Sequence, residues 1–244
     1  MSDNSNNVNS AFLKEFSTAC SLGKLADAKR MLSGWREMHA GQGATSISDH
    51  PLQAGLIMAA ENGKGDVVEF LLNDNFRVSP DVILAASRSQ STQVFQAMID
   101  SGWDVNQSSG HTGDALSHAA TADRYELTKF LLSHGADPNK NERAGMWTVL
   151  DLAVMHASPG TAQLLIDHGA AIQNTNALII AAQDGRIDML ELLLNNGAKV
   201  DEVPEIDLPT EYKGLNALQV AEKEKQKQAV TYLTSRLHST EKAA

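Results

Sequence analysis

One cysteine, Cys20, serves the whole chain, which excludes an internal disulfide framework and a zinc site built on several thiolates. A reducing compartment, cytoplasmic or otherwise intracellular, is the simplest setting for it. No apolar run approaches the roughly 18 residues of a membrane span, so no membrane partner is expected. The start, MSDNSNNVNS, lacks a basic stretch followed by an apolar core, so it is not read as a secretory signal. Residues 1–10 read instead as a disordered lead that buries too little to order itself. Cations are outnumbered: 20 Lys and Arg stand against 30 Asp and Glu, a formal net charge of −10. That balance argues against nucleic acid, whose non-specific binding needs clustered cations, and weakly favours a basic or neutral partner. Gly41-Gln42-Gly43 has neither a preceding strand nor a third glycine, so it is no phosphate loop. A serine nucleophile elbow is also missing.

What is present is repetition. The clearest copy is Phe130–Asn139, FLLSHGADPN, with weaker copies at LLIDHGA (Leu164–Ala170), LLLNNGAKVD (Leu192–Asp201) and AMIDSGWDVN (Ala97–Asn106). Each follows a first apolar helix containing a small residue. These anchors are Ala19, Ala59, Ala86, Ala119, Ala153, Ala181 and Ala221, at steps of 40, 27, 33, 34, 28 and 40 residues. A second apolar run at helical spacing follows each anchor by about ten residues.

The motifs sharpen the pattern. Thr148-Val149-Leu150-Asp151-Leu152-Ala153 is close to T-P-L-H-x-A, with looser forms ending at Ala119 and Ala181. Gly63–Leu72 and Gly185–Leu194 each set a glycine and an acidic residue before paired apolar residues. This pattern resembles the ankyrin repeat over about Ala11 to Leu237. The resemblance implies an all-α ankyrin-repeat solenoid of stacked helix-turn-helix units with irregular finger loops. The expected units are about 11–50, 51–79, 80–106, 107–139, 140–172, 173–201 and 202–237, forming one domain over 11–237, with a flexible tail at 238–244. Small Ala pairs let first helices approach closely, Leu pairs fill the space between repeats, and Gly102, Gly135, Gly169 and Gly197 supply left-handed caps. The alternating charges of Glu222–Gln228 read as a solvated end cap.

Departures from the regular period carry the functional clues. The short steps leave tight loops at 76–81 and 171–176, and the long steps place extra chain at 35–51 and 202–214. Long loops on a rigid scaffold are where function concentrates. Fingers should project before the fourth and fifth repeats.

In the family, ligands usually meet finger tips and the exposed last turn of each first helix. Carried over, the resemblance implies a partner-binding surface at Arg88, His111, Met146, Trp147, Met155, His156, Gln183 and Asp184, with Tyr212 on the last long loop. Trp147, Met146, Met155 and His156 read as one exposed hot spot, since Trp dominates such energetics. Trp35 and Trp103 read as packing residues, His134 and His168 as structural residues at helix ends, and Cys20 as buried and inert. His111, His118 and His156 come from different repeats at no recognised ligand spacing, so no metal site is expected, and no cofactor.

The leading expectation is a non-catalytic protein-interaction module acting as scaffold, adaptor or inhibitor, with another protein as partner. The alternative is a small-molecule binder or acid–base enzyme using His111 and His156, with Asp151 or Asp184 as partner and Trp147 stacking on substrate. A further possibility is self-association through a patch around Phe76, Phe95 and Trp103, within an expected range of monomer to weak homo-oligomer.

Overall fold

The computed structural model describes residues 2–39, 52–110, 113–140, 147–204 and 211–241, with side chains described from Ser10 to His238. Fourteen α-helices and no strand occur among the described residues. They come as seven pairs. The first three are α1 (Ser2–Ser21) with α2 (Leu25–Met38), α3 (Gln53–Glu61) with α4 (Gly65–Asn73), and α5 (Pro80–Ser89) with α6 (Thr92–Asp100). The other four are α7 (Ala115–Thr121) with α8 (Tyr125–Ser133), α9 (Val149–His156) with α10 (Pro159–Asp167), α11 (Ala177–Gln183) with α12 (Ile187–Asn195), and α13 (Ala217–Lys223) with α14 (Lys227–Glu241).

The chain divides into two compact units, Met1–Ser109 and Gly110–Ala244. In the first, α3 packs between α1 and α5, and α4 between α2 and α6. In the second, the first helices run α7, α9, α11, α13 and the second helices α8, α10, α12, α14, each against its sequence neighbour. Within each unit, every pair therefore buries its apolar stripe mainly on its neighbouring pairs.

Local chemistry starts and stops these helices. Ser79 and Ser91 cap α5 and α6 by accepting the N–H groups of Val82 and Val94, both at 3.4 Å. Asp114 accepts the Ser117 N–H at 2.7 Å at the start of α7. Reciprocal capping boxes, Thr148 with Asp151 and Asn216 with Gln219, open α9 and α13. The second helices α6, α8, α10 and α12 stop at Gly102, Gly135, Gly169 and Gly197, all at positive φ. Beyond each, the next N–H returns to a carbonyl of the last turn, as from Ala136 to Leu131 at 3.0 Å. In the second pair Asn75, at φ 68°, takes the glycine's place, as a short polar side chain can. Just before the cap, His134 and His168 return Nδ1 to the carbonyls of Phe130 and Leu164 at 2.8 and 2.9 Å, the structural use expected of them.

The core follows the paired pattern: Val67, Val68 and Leu71 of α4, and Met189, Leu190 and Leu193 of α12, are fully buried. Cys20 is also fully buried, and burial pushes its thiol up to about 12. Trp35 and Trp103 are buried as packing residues.

Two expectations are revised. Trp35 does not open a long loop, because α2 continues to Met38 and Trp35 tilts against Phe12 and stacks on His39. The loop residues 40–51 lie outside the described residues. The proposed apolar patch is not a surface: Phe76, Phe95 and Trp103 are 7%, 0% and 8% exposed, and the Phe95 and Trp103 rings meet at 5.9 Å. A large ring after the cap glycine turns inward because it gains more from burial than from exposure. α1 starts at Ser2 and α14 runs to Glu241.

Two glycines in the first unit offer a direct test of packing. A Cβ on Gly55 would meet Phe16 Cε1 at 2.4 Å, whereas one on Gly34 would meet nothing within 4 Å. Gly55→Ala is expected to destabilise the first unit by about 1–3 kcal/mol. Gly34→Ala should stabilise it by about 0.5–1 kcal/mol through helix propensity. Urea unfolding of the two variants beside wild type reads both signs.

Candidate protein-binding surface

The surface begins with the anchor alanines. Ala59, Ala86, Ala119, Ala153, Ala181 and Ala221 are fully buried, and Ala19 is 6% exposed. In five pairs the anchor carbonyl also closes the turn to the second helix. Ala19, Ala59, Ala119, Ala181 and Ala221 accept the N–H groups of Lys24, Lys64, Arg124, Arg186 and Gln226, each at 2.9 Å. Two and three positions beyond each anchor from Ala59 onward, the last turn of the first helix leaves the core. Those pairs are Glu61-Asn62, Arg88-Ser89, Thr121-Ala122, Met155-His156, Gln183-Asp184 and Lys223-Glu224.

In the second unit this row places His156, Asp184 and Glu224 exposed, with Met155 and Gln183 half-buried. The Gln183 carbonyl accepts Gln226 Nε2 at 2.7 Å, fixing the sixth pair to the seventh. Arg88 belongs to the first unit, is exposed, and lies 3.6 Å from Glu61 of the preceding pair. His111 and Met146 lie outside the described residues.

Trp147 is half-buried and stands just before the N-cap of α9, while His156 is the last residue of that helix. Eight helical residues separate them, roughly 12 Å along the axis. Trp147 and His156, expected from sequence to form one hot spot with Met146 and Met155, therefore stand at opposite ends of α9.

Tyr212 is 5% exposed and is no contact surface. Its hydroxyl donates to Glu224 Oε1 at 2.9 Å, and Lys223, which also donates to the Glu211 carbonyl, lies over its ring at 5.2 Å. Burial, with Glu224 next, pushes the phenol up to about 12. A tyrosine with an internal carboxylate partner anchors its loop on α13 rather than offering its ring to a ligand.

The acid–base alternative also changes. Asp151 is 1% exposed and holds the start of α9: the Thr148 N–H donates to its Oδ2 at 2.8 Å, and the Asp151 N–H donates to Thr148 Oγ1 at 3.1 Å. Burial pushes its carboxyl up to about 6, opposed by hydrogen bonds from Thr148 and Asn176. Its partners are thus core and cap groups, while His156 ends the same helix in solvent.

Sequence reasoning missed a polar ladder along the turns of the second unit. The fifth pair has a shortened turn, Ala157-Ser158, in which no residue takes positive φ. Its neighbours hold it on both sides. Asp123, left-handed at φ 52°, accepts Ser158 Oγ at 2.8 Å and Thr161 Oγ1 at 2.6 Å through Oδ1. Arg186 Nη1 donates to the carbonyls of Val154 and Ala157, both at 2.8 Å, and its Nη2 to Asp188 at 2.8 Å. Asp123 sits below the usual carboxylate range: burial opposes this, but the Thr161 and Ser158 hydrogen bonds and the Arg186 charge prevail. The signal for this ladder was the Ser158-Pro159 pair where other repeats carry a glycine-type turn. On the finger side, Asn139 donates to the Gly169 carbonyl and accepts the Ala171 N–H, both at 2.9 Å.

Helix pairs in register, anchored on small residues and joined by tight turns, define an α-helical repeat protein. Models of the family described as "Ankyrin repeats (3 copies)" match residues 56–142, 116–204 and 150–242. The chain belongs to the ankyrin repeat family. It is 32% identical over 117 residues to the ankyrin repeat protein FPV018 of Fowlpox virus (strain NVSL), covering 46% of this chain and 16% of that protein. It is 28% identical over 148 residues to the ankyrin repeat and KH domain-containing protein mask-1 of Caenorhabditis elegans, covering 57% of this chain and 6% of that one. The chain thus spans a small part of the length of these curated relatives. Its structure is similar to the ankyrin repeat domain of Bcl-3, a member of the IkappaB protein family, with TM-score 0.68 and 22% identity over 90% of this chain and 97% of that one. Ankyrin repeats are generally protein-interaction modules. Among the described residues, no helix is long and apolar enough to cross a membrane.

The ladder predicts a stability effect away from the helix core. Arg186→Met should cost the second unit about 1–3 kcal/mol, because two carbonyls lose a charged donor. Arg186→Lys should recover only part of it, since one ammonium cannot reproduce the guanidinium fork. Denaturant midpoints of the three proteins measure the order.

Proposed function

We propose that the second unit binds a segment of another protein, without changing it covalently, across the last turns of α9 and α11, as a scaffold, adaptor or inhibitor. The carrying observation is a contrast between neighbouring repeats. The buried anchors Ala153 and Ala181 are the same residue, whereas the positions just beyond them differ in kind: Met155-His156 against Gln183-Asp184. A scaffold that repeats inside and varies at its exposed turns presents a distinct surface without altering its own packing. Trp147, at the other end of α9, extends that surface toward the finger of the fifth repeat. The family's general role in protein interaction supports the reading. A buried, unreactive Cys20 fits an intracellular, cytoplasmic setting, and the chain acts as a monomer or weak homo-oligomer.

Affinity capture from extract of the native cell tests it. Wild type is compared with the double variant His156→Ala, Asp184→Ala and with Glu191→Ala, at an exposed position of α12. A partner retained by wild type and Glu191→Ala but reduced at least about tenfold by the double variant is expected for contacts at these turns. Equal retention by all three removes these turns from the interface.

A further inference from the structure

The described residues include two buried carboxylates, both in the second unit, and they are treated differently. Asp114, 4% exposed, caps α7, with Oδ1 accepting both the N–H and the hydroxyl of Ser117 at 2.7 Å. Asp151, 1% exposed, has Oδ2 engaged by Thr148, while its Oδ1 has no well-formed hydrogen bond. The neighbouring group is Asn176, 4% exposed, at the N-cap of α11, whose hydrogen bonds, with those of Thr148, oppose the upward push of burial on this carboxyl. Asp151 therefore lies where the start of α9 meets the start of α11. A buried carboxylate whose second oxygen is incompletely satisfied carries a penalty when ionised that its neutral form largely escapes.

We propose that Asp151 makes the joint between the fifth and sixth repeats proton-sensitive: a neutral carboxyl holds α9 and α11 together, and an ionised one lets the joint open more readily. The titratable and charged groups on the elements packed against α9 are His118 and the cap residue Asp114 of α7, Asp167 and the cap residue His168 of α10, and the cap residue Asp184 of α11. His156 ends α9 itself. Asp167 accepts from Gln163, and His168 returns to the Leu164 carbonyl. What sets Asp151 apart is burial, offset in part by Thr148 and Asn176.

The sign follows from linkage. The folded carboxyl sits near 6, above the roughly 3.9 of an unfolded aspartate. Its stabilising contribution is fully present below about pH 4 and is lost as pH rises through about 6. Met155-His156 and Gln183-Asp184 end the two helices that this joint connects, so their mutual spacing depends on it.

Hydrogen exchange of the full chain, corrected for intrinsic rates, reads the joint without any binding partner. The probes are the amides of α9 and α11, in wild type and Asp151→Asn, at pH 5 and pH 8. Asn keeps an acceptor for the Thr148 N–H and removes the charge. The wild-type protection factors, relative to the variant, are expected to fall about tenfold between the two pH values. A ratio that stays constant overturns the proposal. If Asp151→Asn does not fold, Asn176→Ala serves instead. Losing that donor should move the wild-type pH transition upward, and an unmoved transition overturns the proposal equally. Because no partner enters the measurement, its outcome is independent of whether these turns form an interface.

Discussion

The rest of the structure depends on one small residue that packs inside every helix pair and, in five of the seven, also closes its turn. The anchor alanine offers a side chain small enough for the neighbouring first helix to pack closely, and its carbonyl closes the turn that sends the chain into the second helix. A larger residue would push neighbouring first helices apart. The left-handed residue in the turn belongs to the same constraint. Gly185, for example, takes φ +65° where a Cβ would lie 2.6 Å from Gln226 Oε1 of the next repeat. Close packing of first helices and close stacking of turns are thus one geometric requirement seen at two places.

Two pairs meet the requirement differently, and they show what it costs. In the third, the Ala86 carbonyl accepts the Ser89 hydroxyl at 2.8 Å. In the fifth, Ala153 accepts the Ala157 N–H at 2.7 Å, and the shortened turn leaves the Ala157 carbonyl to be satisfied from outside the pair. Arg186 supplies the donor. A buried carbonyl left without one would cost about 1–3 kcal/mol, so the arginine on the neighbouring repeat stabilises the irregular turn. The same irregular pair carries Met155, His156 and Asp151, so the fifth repeat departs from its neighbours in both its turn and its surface.

Periodicity made the fold readable before any coordinates. Seven alanines in phase, each followed about ten residues on by a second apolar run, located all seven helix pairs. What it could not show was direction. Tyr212 sits in an acidic, proline-containing loop and reads as exposed, yet Glu224 gives its hydroxyl a partner and lets the ring bury. Trp147 and His156 are near in sequence, but a helix of eight residues holds them at its two ends. Asn75 takes the left-handed cap position without being a glycine, so a glycine pattern does not reveal it. The ladder links Asp123 to Ser158, 35 positions on, and the Ala157 carbonyl to Arg186, 29 positions on, and no local pattern encodes it.

That ladder bears on how such a chain can change over generations. Repeat proteins lengthen and shorten by copying or losing whole units, and a unit is freely exchangeable only if its interfaces are generic. The fifth repeat is not such a unit. Its turn borrows a carboxylate from the fourth and a guanidinium from the sixth, so a copy inserted elsewhere would arrive without either. The fifth repeat is thus matched to its two present neighbours, and a copy placed elsewhere would keep its helices but lose the hydrogen bonds that hold its turn.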